Sequence, residues 1–369
     1  MKVKIFYGSL SRFRKLLPTN KNFLPIVDLA IQDDLRNRRV KLDFEGKRVE
    51  IEEDFIHYDH VVAYSDDYAS LSEGTIESFT NLVLRYDIDN LYLQNPPDAI
   101  ARHIQELSCV DCNIERQEYK AIDLELLKKI KNDFSQNVIG QENAKMYIIS
   151  ALYNVAKCRY NKPCVVLLYG STGIGKTESA KFIASVLDEK LFRKQFSMLH
   201  SDEFSAYVFG GKHNQNSLAK ELLERESNII LFDEFDKPHP VFHSAFYQLF
   251  DEGVYVDRNY TVKMADSIII CTSNYMSEKE IRSALGEPIF SRFDAVIKFE
   301  KLNSSAIQAI MEKEFDKQYS GLECEEKLII DNYQIKEKVF GLISHLENAR
   351  QIRKIIREAF SAALIKELL

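Results

Sequence analysis

The sequence predicts an α/β fold: a parallel sheet core with a helical C-terminal lid, preceded by a small α/β (α+β) N-terminal domain. In the middle of the chain, continuous apolar runs alternate with helical segments, a pattern typical of parallel strands buried on both faces. A glycine-rich turn follows the first run directly, and the chain beyond about residue 302 is almost wholly helical in pattern. The apolar runs are 164–169, 228–232, 267–272 and 295–299.

Composition and periodicity divide the 369 residues into four predicted segments. Residues 1–120 form an N-terminal recruiting domain, 121–137 a linker helix, 138–301 the sheet core and 302–369 the helical lid. The first segment mixes short strands with short helices and shows no motif of chemistry. Its predicted strands are 40–44, 49–52, 60–64 and 90–93, and its predicted helices lie near 76–85 and 98–107.

The overall composition narrows the class of protein. Hydrophobic residues make up 45% and charged residues 28%, which is ordinary for a chain that buries a core. The net charge of −7 argues against a binder of polyanions as a whole, although a local basic face stays open. No run of about 20 apolar residues suggests a membrane span, and residues 1–7 read as a strand rather than a signal peptide. We therefore expect a cytoplasmic protein without membrane contact, its six cysteines reduced.

The glycine-rich turn fits the P-loop pattern G-x-x-x-x-G-K-[ST] in full. It follows a predicted strand and opens a predicted helix, which is the context that the pattern requires. Its glycines let backbone N–H groups turn inward around phosphates. Lys176 would neutralise the β- and γ-phosphates, and the Thr177 hydroxyl would bind Mg²⁺. The sequence therefore predicts a P-loop core that binds ATP and Mg²⁺ through Gly170, Ser171, Thr172, Gly173, Ile174, Gly175, Lys176 and Thr177.

Two carboxylates close the second apolar run. Asp233 and Glu234 follow four apolar residues, and the carboxyl ends of parallel strands are where ligands bind. Asp233 suits the Mg²⁺ shell, and Glu234 suits the base that polarises the attacking water. Acidic pairs at a strand end are often only solvated turns, but this pair lies on the next strand that matches the pattern. It predicts a hydrolase and not only a nucleotide binder.

Three further polar positions are candidates for the same site. Asn274 follows the third apolar run, where an amide can orient the water or touch the γ-phosphate, although asparagine is also an everyday turn residue. Arg292 precedes the fourth run. A lone arginine is usually a solvated charge, whereas at a subunit interface it would accelerate a neighbour's hydrolysis by roughly 10³–10⁵-fold. Arg350 and Arg357 lie on related faces of the last helix, and one of them could reach the nucleotide.

In this order the motifs resemble those of the AAA+ ATPases, and more narrowly the second ATPase module of the Clp heat-shock unfoldases and disaggregases. The resemblance extends from about residue 134 to the C-terminus. Residues 138–144 (Val-Ile-Gly-Gln-Glu-Asn-Ala) are similar to the family's entry motif beside the adenine. Residues 233–240 (Asp-Glu-Phe-Asp-Lys-Pro-His-Pro) are similar to its extended Walker B segment.

The resemblance implies roles that spacing alone does not assign. Ile139 would lie beside the adenine, Asn274 would be the first sensor, Arg292 the arginine finger and Arg350 the second sensor. It also implies a homo-oligomeric ring, a hexamer, because the finger acts on a neighbouring subunit.

The chain also departs from that family. It has one ATPase module, and its N-terminal segment does not read like the all-helical Clp N-domain. Residues 205–212 occupy the region of the substrate-gripping pore loop but are shorter, and either Tyr207 or Phe209 would supply the aromatic. An aromatic at this position is equally consistent with a core residue.

The predicted function is therefore a ring-forming, ATP-hydrolysing remodeller or unfoldase of protein substrates, with substrate or adaptor recruited through residues 1–120. Two alternatives stay open. A nucleic-acid motor or loader would use the basic cluster Arg36, Arg38, Arg39 and Lys41, although such clusters are more often solvated faces. A nucleotide-controlled assembly switch, as in a defence or signalling complex, would use the same site without moving a polymer.

Overall fold

The computed structural model describes residues 1–37, 56–157, 162–198 and 201–368. These residues form two compact units. The N-terminal unit comprises 1–119, 199–226 and 254–264, and the P-loop unit comprises 120–198, 227–253 and 265–369. The predicted strands 40–44 and 49–52 lie outside the described residues, as do Arg38, Arg39 and Lys41 of the basic cluster.

A five-stranded sheet lies at the centre of the N-terminal unit. Its strands are β1 Lys2–Tyr7, β2 Leu24–Pro25, β3 His57–Ala63, β4 Asp87–Gln94 and β5 Asp111–Arg116. They lie side by side in the order β2-β3-β4-β1-β5. Every pairing described in this sheet is parallel, so this part of the chain is α/β rather than α+β.

Short helices connect these strands. They are α1 Leu10–Leu16, α2 Ile26–Asn37, α3 Glu73–Glu77, α4 Phe79–Leu84 and α5 Asp98–Gln105. The helix expected near 76–85 is divided into α3 and α4, because the backbone at Ser78 leaves the helical region with φ −105° and ψ 23°. The sequence Asn-Pro-Pro-Asp ends β4 and begins α5 as predicted, with Pro97 in the N-cap position.

Two segments from the middle of the chain complete the N-terminal unit. They supply α9 Ser201–Phe209, α10 Leu218–Leu223 and an antiparallel hairpin of β9 Val254–Val256 and β10 Thr261–Lys263. The sequence pattern did not predict that this unit takes up residues 199–226 and 254–264.

These segments bind at the carboxyl edge of the parallel sheet. Thr261 Oγ1 donates to the Asp98 carboxylate at 2.6 Å, and the Asp98 amide donates to the Asn259 carbonyl at 2.8 Å. Lys220 forms an ion pair with Asp66 at 2.6 Å. Asp98 begins the helix after β4, and Asp66 lies in the loop after β3, so the contacts come from the ends of neighbouring strands.

The P-loop unit contains a second parallel sheet. Its strands are β6 Cys164–Tyr169, β7 Phe192–Gln195, β8 Ile229–Asp233, β11 Ile268–Ser273 and β12 Ala295–Lys298. They lie in the order β12-β6-β11-β8-β7, and the described pairings are parallel. Every residue of β6, β8 and β11 is buried, which confirms for these three strands the prediction of cover on both faces. The fourth predicted strand, β12, lies at the edge of the sheet and is only partly buried.

Helices surround this sheet and form the lid. Those around the sheet are α6 Leu124–Asn137, α7 Glu142–Ala156, α8 Lys176–Val186, α11 Tyr247–Glu252, α12 Glu278–Leu285 and α13 Glu287–Phe290. The lid comprises α14 Ser304–Ser320, α15 Cys324–Asn332, α16 Ile335–Phe340 and α17 Ala349–Leu368. On α17, Ile352, Ile356 and Phe360 lie on one buried stripe, as the helical periodicity predicted. Across the parts of the chain that the structure describes, no helix is both long and apolar enough to span a membrane.

Candidate nucleotide site

The P-loop lies between β6 and α8, and close packing explains its glycines. Gly170 has a φ of +133°, and a Cβ atom there would lie 2.6 Å from the Phe299 carbonyl oxygen. Gly173 has a φ of +74°, and its Cβ would lie 3.1 Å from the Asn348 side chain. Both positions therefore have a positive φ that favours glycine, and at Gly170 a side chain would also collide with the backbone. The loop turns its backbone at the amino end of α8, the arrangement that binds phosphates.

Lys176 is buried in this loop, with 7% of its surface exposed. Its ammonium donates to the carbonyls of Gly170 at 2.5 Å and Ser171 at 2.7 Å, and to Asn274 Oδ1 at 3.2 Å. Burial lowers its pKa from 10.5 to about 8, although the carboxylates of Asp233 and others oppose that shift. The structure thus brings the predicted first sensor, Asn274, to the P-loop lysine.

The carboxylate of Asp233 is the second centre of the site. Thr177 Oγ1 lies 3.5 Å from both of its oxygens, and Thr272 Oγ1 donates to Oδ1 at 2.5 Å. A hydroxyl and a carboxylate are the hard oxygen donors that Mg²⁺ prefers. The paired positions of Thr177 and Asp233 therefore fit a magnesium ion bound beside the phosphates.

Glu234 extends from the end of β8 in an unusual backbone conformation. Its φ is +56°, which costs a non-glycine residue of the order of 1–3 kcal/mol. Thr272 fixes this turn, because its hydroxyl accepts the Glu234 amide at 2.9 Å and its carbonyl accepts the Phe235 amide at 2.9 Å. Gln195 then donates to Glu234 Oε2 at 3.2 Å. The carboxylate that sequence analysis assigned as base is thus held at a defined place.

The entry motif is tied to the P-loop by one side chain that the sequence did not reveal. The Gln141 amide donates to the carbonyls of Ile174 and Glu300 at 3.1 and 2.9 Å and accepts the Glu300 amide at 3.0 Å. Ile139 is half-buried and packs against the same core. This arrangement holds Gln141 of the entry motif against both the P-loop and the residue that follows β12 and Phe299.

The lid contacts the P-loop through the start of its last helix. The Ala349 amide donates to the Gly173 carbonyl at 2.9 Å. Arg350 follows directly and is exposed, and its charge contributes to the lowered pKa of Lys176. Of the predicted cationic residues, Arg350 is therefore close enough to act on this chain's own site.

Arg292 has different partners. Its Nε donates to Asp251 at 2.8 Å, another of its nitrogens donates to the Pro288 carbonyl, and its guanidinium lies 4.4 Å from the centre of the Tyr247 ring. These residues lie in and around α11 and α13, and none belongs to the P-loop or to β8. A role for Arg292 on a neighbouring subunit stays a prediction.

Sequence reasoning missed two residues on β7. Arg193 donates to Asp233 Oδ2 from Nε at 3.1 Å and from a terminal nitrogen at 2.6 Å. Gln195 contacts Glu234, as described above. Alternate residues of a strand point to the same face, so Arg193 and Gln195 both point toward the carboxylates. The sequence of β7, Phe-Arg-Lys-Gln, has three consecutive polar residues and therefore gave no signal as to which of them faces the carboxylates.

Of the two candidate pore-loop aromatics, Tyr207 has the alternative role of a core residue. It lies in α9 with 6% of its surface exposed, and its hydroxyl donates to Glu221 at 2.6 Å. Phe209, at the end of the same helix, is 42% exposed. Of these two aromatics, Phe209 is the one exposed enough to contact another molecule.

Comparison with known proteins agrees with this geometry. A profile of the AAA domain (Cdc48 subfamily) matches residues 161–321. The human mitochondrial disaggregase is 28% identical over 69% of this chain and 36% of its own length. The ClpL ATP-binding subunit of Staphylococcus aureus (strain USA300) is 30% identical over 51% of this chain and 30% of its own length. The match thus spans about a third of each relative.

Similarity to solved structures is weaker. A structure of the Saccharomyces cerevisiae Hsp104–casein complex superposes with a TM-score of 0.47 and 23% identity, over 56% of this chain and 41% of that one. Together, the matched profile and the curated relatives show what the P-loop unit resembles: residues 161–321 match the AAA domain, and the unit is similar to ATPase modules of the Clp type.

Proposed function

We propose that the P-loop unit binds ATP with Mg²⁺ and hydrolyses it. The observation that carries this proposal is the convergence of three strand ends on one point. Lys176 follows β6, Asp233 and Glu234 lie at the end of β8, and Asn274 follows β11. The Lys176 ammonium is 3.2 Å from Asn274 Oδ1, and Thr177 is 3.5 Å from Asp233.

Each side chain then has a separate task. Lys176 binds the phosphate oxygens, and Thr177 and Asp233 hold Mg²⁺, which neutralises charge on the phosphates. Glu234 accepts a proton from the attacking water, because its carboxylate is held by Gln195 and the strained turn. Asn274 orients that water or the terminal phosphate. Ile139 contacts the adenine of the nucleotide, and Arg350 adds positive charge from the lid.

A pair of variants tests this assignment. Glu234→Gln removes the proton acceptor but keeps the shape, so nucleotide affinity should persist while phosphate release falls at least a hundredfold, the lower end of general-base contributions. Lys176→Ala should instead lose nucleotide binding. Glu312→Gln, an exposed carboxylate of α14, serves as the matched control. Turnover that survives in Glu234→Gln would remove Glu234 from the catalytic role.

We further infer that the chain acts in the cytoplasm as a homo-oligomeric ring, a hexamer, that remodels protein substrates. The support is the similarity to Clp-type modules, including a relative named as a disaggregase and one named as a Clp protease ATP-binding subunit, together with an Arg292 whose partners lie away from its own P-loop. Residues 1–120 would recruit the substrate or an adaptor. Stimulation of ATP hydrolysis by an unfolded protein such as casein, with single- or double-stranded DNA and RNA as comparisons, tests the substrate class.

A second candidate function is a nucleotide-controlled assembly switch. The observation that favours it is the binding of residues 199–226 and 254–264 at the carboxyl edge of the N-terminal sheet. These two segments are continuous in sequence with the P-loop unit, and they belong to the N-terminal unit that is expected to bind a partner. Hydrolysis that no polymer stimulates, together with a change of oligomeric mass between ATP and ADP, would support this function instead.

A further inference from the structure

Asp233, the carboxylate proposed to bind Mg²⁺, is paired with the guanidinium of Arg193. Both Arg193 contacts go to Asp233 Oδ2, from Nε at 3.1 Å and from a terminal nitrogen at 2.6 Å. Thr272 donates to the other oxygen, Oδ1, at 2.5 Å. A carboxylate oxygen offers about two lone-pair sites, so the sites of Oδ2 are taken by Arg193. The acceptor capacity that is left lies on Oδ1.

The position of Thr177 makes this arrangement relevant to the metal. Its hydroxyl lies 3.5 Å from each oxygen of Asp233, so an ion held by both residues has to approach the same carboxylate. The guanidinium would then be within a few ångströms of a divalent cation. A guanidinium and a divalent cation at that separation repel each other, and water screens this repulsion less beside a buried carboxylate than in bulk solvent; Asp233 is such a carboxylate.

Arg193 also has the freedom to leave. Its side chain is 41% exposed, and among the strands that the structure describes β7 is the edge strand of its sheet. A guanidinium fork that leaves a carboxylate can bind a phosphate oxygen with the same geometry. The pair is thus strong enough to hold Asp233 and open enough to be exchanged.

We propose that Arg193 is an internal counter-ion of the magnesium site, which Mg²⁺ displaces from Asp233 when it binds with the nucleotide. Arg193 is a positioning residue: it holds the Asp233 carboxylate in its orientation, and it sets the magnesium concentration that the site requires. This inference rests on the proposed ATP site.

The test measures binding and not hydrolysis. A fluorescent ATP analogue is titrated with protein at a series of Mg²⁺ concentrations, for the wild type and for Arg193→Gln. An outer-shell partner that supports a metal ligand typically raises metal affinity by about 10- to 100-fold, whereas Arg193 competes with the metal for the ligand, so its removal should act in the opposite direction. Loss of the competing charge should therefore lower the half-saturating Mg²⁺ concentration by about tenfold, while binding without Mg²⁺ stays within about twofold of the wild type.

Two further variants serve as controls. Arg193→Lys keeps a charge without the fork, so its magnesium requirement should lie between those of the wild type and Arg193→Gln. Lys194→Ala removes a charge from the neighbouring position, whose side chain alternates to the other face of the strand, and should leave the requirement unchanged. A thermal melt of each variant identifies any that fails to fold, in which case Arg193→Lys alone decides by its shift.

The possible results distinguish a failure of the role of Arg193 from a failure of the ATP site. An unchanged or higher magnesium requirement in folded Arg193→Gln, with normal binding by the wild type, overturns the role of Arg193 alone. A wild-type protein that binds no nucleotide at any Mg²⁺ concentration overturns the ATP site and the role of Arg193 with it. A lower requirement in Arg193→Gln that Arg193→Lys partly reverses supports both.

Discussion

The charge of Lys176 depends on how far the P-loop removes it from water. Burial lowers its pKa to about 8, so near and above that pH the ammonium loses its proton in the free protein. A bound phosphate favours the charged form. Binding must then take up a proton when the pH exceeds the pKa of the free protein, and affinity must fall as the pH rises.

This linkage gives a measurable expectation. Between pH 8 and 9.5, nucleotide affinity should fall by up to about tenfold per pH unit, whereas between pH 7 and 7.5 the lysine contributes almost no change. Calorimetry in buffers of different ionisation enthalpy would detect the proton uptake at pH 9. Lys176→Arg, which stays charged throughout, is the comparison. A pH-independent affinity up to pH 9.5 would contradict a lysine with this lowered pKa.

The sequence predicted the site residues that belong to a local motif or end an apolar run, even where their partners are distant along the chain, as for Asp233 and Asn274. The P-loop pattern is local, so Lys176 and Thr177 could be assigned directly. Gln141 could not, because its partners are at Ile174 and Glu300. Arg193 could not either, because the register of an edge strand decides which side chain faces Asp233, and a single sequence does not encode register visibly.

Among the elements, α9 differs most from its predicted role. A pore loop would expose an aromatic on a mobile turn, but Tyr207 lies inside a helix with its hydroxyl paired to Glu221. The helical run of apolar residues from Phe204 to Phe209 favours burial of one face. The family resemblance suggested a pore loop at residues 205–212, whereas the apolar pattern of this chain favours a helix with one buried face there.

Truncation of the two aromatics should therefore give opposite results. Tyr207→Ala should cost about 3–5 kcal/mol in the free energy of unfolding, as large buried aromatics do, and lower the melting temperature. Phe209→Ala should change stability by less than about 1 kcal/mol, because surface substitutions usually do. Basal ATP turnover and casein-stimulated turnover are measured on the same samples. Loss of stimulation in Phe209→Ala with unchanged basal turnover would support substrate contact, and normal stimulation would exclude it.

Variants of Arg292 test whether one subunit contributes to the active site of its neighbour in an assembly. Its guanidinium is held in place by Asp251 and the Tyr247 ring, and pre-oriented donors lose little entropy when they bind a new anion. Arg292→Ala and Glu234→Gln should each be inactive alone. Mixed assemblies should regain hydrolysis, because an intact Glu234 can then face a neighbour that carries Arg292.

The control for this mixing is the double variant. Glu234→Gln mixed with the protein that carries both substitutions contains no intact catalytic carboxylate, so it should stay inactive at every ratio. Native mass spectrometry would establish that mixed assemblies form. Inactive Arg292→Ala and Glu234→Gln mixtures in which mixed assemblies are detected would place Arg292 outside the active site of a neighbour.

The three-part composition of the N-terminal unit has a consequence for biosynthesis. The ribosome finishes the first parallel sheet at Arg116, but the hairpin that pairs with Asp98 is not made until Thr261 has emerged. In between, the nascent chain must build β6, α8, β7 and β8 of the other unit. Domains usually fold one after another as they are synthesised, whereas here the two units must mature in alternation. Residues 1–119 are therefore not a domain that recombination could transfer by itself. A transfer of these residues alone would leave the carboxyl edge of their sheet uncovered. The hairpin that stays behind would lose its partner Asp98.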